Sequence, residues 1–281
     1  GGSAIGQANF DGGQGGAITV QAQYGAVARH SGQSLPTPTK NLLANAGSTI
    51  TYNDLVALLA PSISGTTATF SLPVDTGFHL SGGATLNLSD AVAAVIDEVE
   101  ILSLHPIRID GTILTARTAS DSVDLVLNHN GPAELGLAVT GTINTSGAAM
   151  RSGGNVVLLS FTSIVLTGTV DTRGGAANAA MTTNAGQGGA LVLSAQFGDV
   201  LLSSGAFSAR GGSAEGTGTA GGGGPFSLTS LGGTDRDLHV QALTSGGNAT
   251  ADTARQGGTV NITWFGARSA FLYVDTSGGS T

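Results

Sequence analysis

An all-β solenoid, a parallel β-helix with Gly-rich loops and one short helical insertion, is the fold this sequence predicts. Two observations carry that reading. A Gly-Gly pair followed by an apolar-alternating run recurs at GGNVVLL (153–159), GGALVLS (188–194), GGPFSLT (223–229) and GGTVNIT (257–263), at intervals of 35, 35 and 34 residues. Self-similarity at a fixed period of this length is the signature of a stacked repeat. A smaller motif, Gly-Thr/Ala-apolar, begins at Gly111, Gly141, Gly168 and Gly205, spaced by 30, 27 and 37 residues. Strands that persist while loops vary fit one repeat per solenoid turn, with insertions projecting from its faces. A β-sandwich would instead show spacings of about 8–12 residues and hairpin turns.

Composition agrees. Glycine makes up 46 of 281 residues, and charged residues are only 10%. A disordered chain would be rich in charge and poor in β-branched residues. Here the glycines punctuate Val/Leu/Ile/Thr runs, which predicts short strands joined by turns. The formal charge of −8 includes no basic cluster, so nucleic acid is not an expected partner. The chain has no cysteine, which removes disulfides, thiol catalysis and Cys-ligated zinc. No apolar run reaches the roughly 18 residues that a spanning helix needs, so membrane insertion is not expected either. The first residue is Gly1, and the expectation is a processed chain or a segment of something longer.

In chain order, a Gly/Ala/Asn/Gln loop opens into AITVQAQYGAV (17–27). GQGGAITVQAQYGAV (13–27) matches GQGGALVLSAQFGDV (186–200) at every glycine and at Ala22, Gln23 and Val27, with Ile/Leu, Val/Leu and Tyr/Phe exchanged. The front of the chain therefore belongs to the same repeat as the back. An irregular insertion is expected at about 33–97. Within it, NDLVALLAP (53–61) reads as a short helix with Asn53 as N-cap and Pro61 as terminator. ATFSLPVD (68–75) and GGATLNLSD (82–90) alternate, and strand is expected again from about Glu98. Inward positions such as Val156, Leu158, Leu191, Leu193, Val200, Leu202, Val260 and Ile262 should form apolar ladders. Glycine should serve the corners by adopting positive φ.

The GxGG loops, short apolar strands and Gly-Thr/Ala-Ile/Val-Asp/Asn-Thr corners resemble the Gly-rich parallel β-helical regions of secreted bacterial surface proteins, the filamentous-haemagglutinin-type adhesins. The likeness covers most of 1–32 and 98–281. It implies a right-handed β-helix, export to the cell surface or beyond, and an adhesive or scaffolding role. It carries no catalytic residue across.

Parallel β-helices also host polysaccharide-cleaving enzymes, which need two or three carboxylates on neighbouring coils. Asp97, Glu98 and Glu100 lie just before His105, Arg108 and Asp110, and Asp235, Arg236 and Asp237 lie beside His239. The plain reading of both is a solvated ion-pair edge. His30, His79, His105, His129 and His239 have no zinc-site spacing, and the Gly-rich loops lack the aspartates of calcium-binding repeats. No cofactor, metal or catalytic residue is expected. The leading expectation is a structural building block. The alternative is a carbohydrate-active enzyme or a carbohydrate-binding module on the same scaffold, with surface polysaccharide as partner.

The two ends of the chain are expected to meet, in a neighbouring copy or as tandem repeats of a longer chain. Written tail to head, VDTSGGST-GGSAIGQANFDGGQGGAITV repeats the pattern of the internal VDTRGGAANAAMTTNAGQGGALVL (170–193). A head-to-tail contact without a two-fold axis propagates as an open filament. The expected interface comprises Gly1, Gly2, Ile18 and Val20 from one end. Trp264, Phe271, Tyr273, Gly278, Gly279 and Thr281 come from the other.

Overall fold

The computed structural model describes residues 40–44, 47–132, 136–178, 184–202, 207–215, 218–232, 236–247, 256–264 and 267–276. Strands Lys40–Ala44 (β1) and Thr49–Thr51 (β2) open the stack, followed by helix Tyr52–Leu58 (α1) and strand Ser62–Ser64 (β3). Coils of three strands then succeed one another. The first holds Thr67–Ser71 (β4), Thr76–Leu80 (β5) and Thr85–Asn87 (β6), and the second Glu98–Ser103 (β7), Ile107–Ile109 (β8) and Thr112–Leu114 (β9). Asp124–His129 (β10), Leu137–Val139 (β11) and Thr142–Asn144 (β12) follow, and then Val156–Ser160 (β13), Ile164–Leu166 (β14) and Thr169–Asp171 (β15). Leu191–Ala195 (β16), Val200–Leu202 (β17) and Phe207–Ser208 (β18) form the next coil. Phe226–Ser230 (β19), Arg236–Leu243 (β20), Val260–Trp264 (β21) and Ala267–Asp275 (β22) complete the described strands.

These strands build three sheets of six, eight and eight strands, parallel except for the antiparallel β3–β4 pair. The chain is a parallel β-solenoid. Each Gly-Gly repeat lands one strand directly on the last: Val156 pairs with Leu191, Leu191 with Phe226, and Phe226 with Val260. The inward column Phe70, Ile101, Leu127, Leu158, Leu193, Leu228 and Ile262 runs through consecutive strands of this sheet. All but Ile262 are fully buried. Of the expected ladder residues, Val156, Leu158, Leu191, Leu193 and Val200 are buried, whereas Leu202, Val260 and Ile262 are half-buried against the core.

The segment 33–97 is more regular than its sequence suggests. From β1 and β2 onward its described part supplies strands to all three sheets, and β4, β5 and β6 pair in parallel with β7, β8 and β9. Within its described part α1, β3 and a 3-10 turn at Ser89–Ala94 depart from the coil. The helix starts two residues earlier than expected, with Thr51 rather than Asn53 as N-cap. Asp54 N donates to the Thr51 hydroxyl while the Asp54 carboxylate accepts from Thr51 N, a reciprocal capping box. Asp90 accepts from the Tyr52 backbone N–H as well. Tyr52 and Leu55 are buried, and the Tyr52 ring meets Phe70 edge-on at 5.7 Å. Thus α1 and β3 cover the β4 end of this sheet.

Only some of the glycines do the job expected of them. Among the described glycines positive φ occurs only at Gly47, Gly65 and Gly83. The repeat glycines are required because neighbouring coils approach too closely for a Cβ. A Cβ on Gly154, Gly189, Gly224 or Gly258 would lie 2.3, 2.3, 2.0 or 2.0 Å from a carbonyl oxygen of the coil before it. The same four residues close each coil. Gly154, Gly189 and Gly258 N–H donate to the carbonyls of Thr145, Thr172 and Thr244, and those threonine hydroxyls donate back to the glycine carbonyls. Gly189→Ala is expected to cost about 2 kcal/mol, the scale of overpacking, read as a lower urea midpoint at unchanged slope. Wild-type stability in this variant would show that the coils can separate to admit a methyl group.

Beyond those closures the Gly-rich loops leave and return as paired legs that stack on one another. Gly186 N donates to Gly175 O, Gly221 N to Gly212 O, and Gly212 N to Gly186 O of the preceding loop. Ala177, Ala185, Ala214 and Ala220 form a second small core there, with Met150 packed against it.

Candidate functional site

Of the acidic and basic residues between Asp97 and Asp110, each finds its own partner. Glu98 and Glu100 alternate outward on β7. Glu98 accepts from the Thr67 hydroxyl at 3.1 Å, and Glu100 accepts from Thr69 and from the Asn128 amide at 3.0 Å each. Asp110 lies beyond β8 and binds His79 Nε2 at 2.9 Å, Arg108 Nε at 2.6 Å and the Thr140 hydroxyl at 2.6 Å. Burial works to raise its pKa, but the bonds from Thr140, His79 and Arg108 together hold the carboxyl below its ordinary range. His105 turns inward and its Nε2 meets the Val74 carbonyl at 2.7 Å. Asp97 pairs with the buried Arg117, which also binds the Ile96 carbonyl. The expected cluster is therefore split between a sheet face, a corner and the interior. Among the described residues no group of three His, Cys, Asp or Glu side chains is placed to hold a metal ion. Asp235 lies outside the described residues, and so do the side chains of Arg236, Asp237 and His239; their backbone belongs to β20, with a register irregularity between Arg236 and Asp237.

Asp97 does line an open polar groove of about 500 Å³ that crosses several coils, with Asp121, Asp124, Ser152, Asn155 and Gln187. Two runs of side-chain brackets form its floor. Asp121 accepts from Ser152 N at 2.7 Å, and Ser152 Oγ accepts from Gln187 N at 3.4 Å. Three residues further along the chain, Asp124 accepts from Asn155 N at 2.7 Å and from Asn155 Nδ2 at 2.8 Å, and Asn155 Oδ1 accepts from Ala190 N at 2.8 Å. Burial first, and then the charges of Glu98 and Asp97, push the Asp124 carboxyl up, while its bonds to Asn155 oppose them. Each bracket hands a backbone donor of one coil to a side chain of the coil before it. Removing one leaves an N–H without its acceptor, so Asp124→Ala is expected to cost about 1–2 kcal/mol in chemical denaturation. Asp124→Asn should retain most of that stability, and an equal loss in both variants would contradict the bracket role.

The terminal coil differs from those before it. Val260, Ile262 and Trp264 continue the inward columns, yet they are half-buried where Phe226, Leu228 and Ser230 are buried. The Trp264 indole N–H is enclosed without a hydrogen-bond partner. Strands β21 and β22 are the outermost of their sheets among the described residues. Tyr273 on β22 is 66% exposed. Phe271 is placed by its backbone on β22, opposite His239. The remaining expected interface residues, Gly1, Gly2, Ile18, Val20, Gly278, Gly279 and Thr281, lie outside the described residues.

No family model matches the sequence, and comparison with curated proteins and with solved structures finds no significant match.

Proposed function

We propose that this chain is an extracellular structural protein, a β-solenoid building block that assembles head-to-tail into a fibre, sheath or adhesin stalk. The half-buried inward column of β21 carries the reading. Val260, Ile262 and Trp264 continue the buried inward columns of β19 but are themselves half-buried, on a strand whose outer edge pairs with no described strand. A parallel sheet edge with apolar side chains is a template for further pairing. The likeness to Gly-rich β-helices of secreted surface proteins supports export. The outward polar groups fit a scaffold as well, since Glu98, Glu100, Asp121 and Asp124 are spent on holding neighbouring coils together. Sedimentation velocity across a concentration series, followed by negative-stain microscopy, tests it. The expected result is growth into unbranched filaments one solenoid wide, and a concentration-independent monomer would overturn it.

One observation favours a second reading. The groove over Asp121, Asp124, Ser152, Asn155 and Gln187 is polar and crosses several coils, a lining that suits the hydroxyls of an extended polysaccharide. Saturable binding of a soluble glycan, lost in Ser152→Trp, would support a carbohydrate-binding module. Turnover lost in Asp124→Asn would support an enzyme.

A further inference from the structure

We infer that the outer edge of β21 receives residues 15–24 of a second copy of this chain as its next parallel strand, with Ile18 over Val260, Val20 over Ile262 and Ala22 over Trp264. The inference rests on the assembly reading above and fixes its partner and register. Three constraints converge on that segment. The first is steric. Every coil stacked in this sheet from Gly154 onward sets a glycine α-carbon against a backbone carbonyl of the coil before it, at Gly154, Gly189, Gly224 and Gly258 in turn. A strand added to β21 must bring a glycine to the same place, and Gly16 stands there when 13–27 is aligned on 186–200.

The second constraint is the column. Positions two and four beyond that glycine pair point inward in β16 and β19, where Leu191, Leu193, Phe226 and Leu228 are buried. Ile18 and Val20 hold these positions and would close the half-open column over Val260 and Ile262. The third is volume at the corner. Ala195, Ser230 and Trp264 occupy successive levels of one column. Above the large Trp264 side chain a small residue is needed, and Ala22 is that residue.

A second copy is the better donor than the same chain. Strand β1, reached sixteen residues after Tyr24, belongs to the opposite end of the stack from β21. Donation between copies repeats indefinitely.

The absence of cysteine allows a clean test. In the inferred register Thr19 lies opposite Asn261, an exposed residue of β21, and paired α-carbons about 4.8 Å apart are within disulfide reach. The Thr19→Cys/Asn261→Cys variant, oxidised with copper–phenanthroline, is expected to give a ladder of covalent multimers on a non-reducing gel, while each single variant stops at dimer. Adding Gly16→Val should cut the ladder at least tenfold and leave the unfolding of residues 40–276 unchanged. An intrachain cross-link in a monomer would overturn the second-copy donor, and a ladder that survives Gly16→Val would overturn the register. Filaments that form without the Thr19–Asn261 cross-link would sink this inference and spare the structural reading; a monomer with neither would sink both.

Discussion

Leu193→Asp is expected to remove cooperative unfolding of the central coils. Leu193 is wholly buried, with Leu158 below it and Leu228 above it in the same column, both also buried. The substitution forfeits a buried leucine, worth about 2–5 kcal/mol. It also places a carboxylate where no donor or cation is in reach, and the ionised form is so costly there that the group would take up a proton. Together the two losses approach the whole stability of an ordinary domain, about 5–15 kcal/mol. Because each coil contacts only its neighbours, the damage should spread along the stack by uncapping the coils on either side. The expected thermal melt is broad and lowered by tens of degrees. Val192→Asp, one residue earlier on the outward face of β16, should cost far less. Equal melts for the two variants would refute the alternation on which the fold rests.

The second large effect is acid sensitivity centred on His129. This residue is 1% exposed, its Nδ1 lies 3.2 Å from the Ser160 hydroxyl, and its Nε2 is enclosed without a partner. Burial, and then the nearby charge of His105, lower its pKa from 6.5 to about 4. Above pH 6.5 the ring is neutral in the folded and unfolded chain alike, and it contributes nothing to the pH dependence. As pH falls from 6.5 toward 4 the unfolded chain takes up a proton that the folded chain refuses, so stability drops. Below about pH 4 both forms are charged and the loss is complete. Its full size is about 3 kcal/mol, at 1.36 kcal/mol for each pH unit of the shift. Urea unfolding of the wild type and of His129→Leu at several pH values isolates this contribution. The variant should lose much less stability between pH 6.5 and 4, and parallel profiles would rule His129 out as the cause.

The strands were legible in the sequence because two signals coincide there. A glycine pair marks where a coil closes, and alternation in the next five residues states which side chains turn inward. What was hidden depends on register between coils, which repeat spacings varying from 27 to 37 residues conceal. Asp121 with Ser152 and Asp124 with Asn155 are each 31 residues apart. They can be read as brackets only once β10 and β13 are known to align. The same limit scattered the candidate site. Asp97, Glu98, Glu100, His105 and Asp110 are close in sequence, but successive turns of the coil point them to different faces. The role of the glycines was hidden for a related reason, since a missing Cβ looks the same in sequence whether it permits an unusual φ or a close neighbour. Strands β4 and β5 have no glycine pair before them yet coil regularly, because Ala68, Phe70, Phe78 and Leu80 supply the inward columns.

The ladder of hydrogen bonds between coils has a mechanical consequence. In a parallel solenoid those bonds lie along the long axis, so a force pulling the two ends apart opens them one after another, as a zipper opens, and does not shear a whole strand at once. Each coil adds about 4.8 Å to the folded length, but a 35-residue repeat pulled straight spans about 120 Å. Peeling a single terminal coil would therefore lengthen the molecule roughly 25-fold over that coil's folded share. The remaining coils would keep their registry and offer the template on which the peeled one can rewind when the load falls.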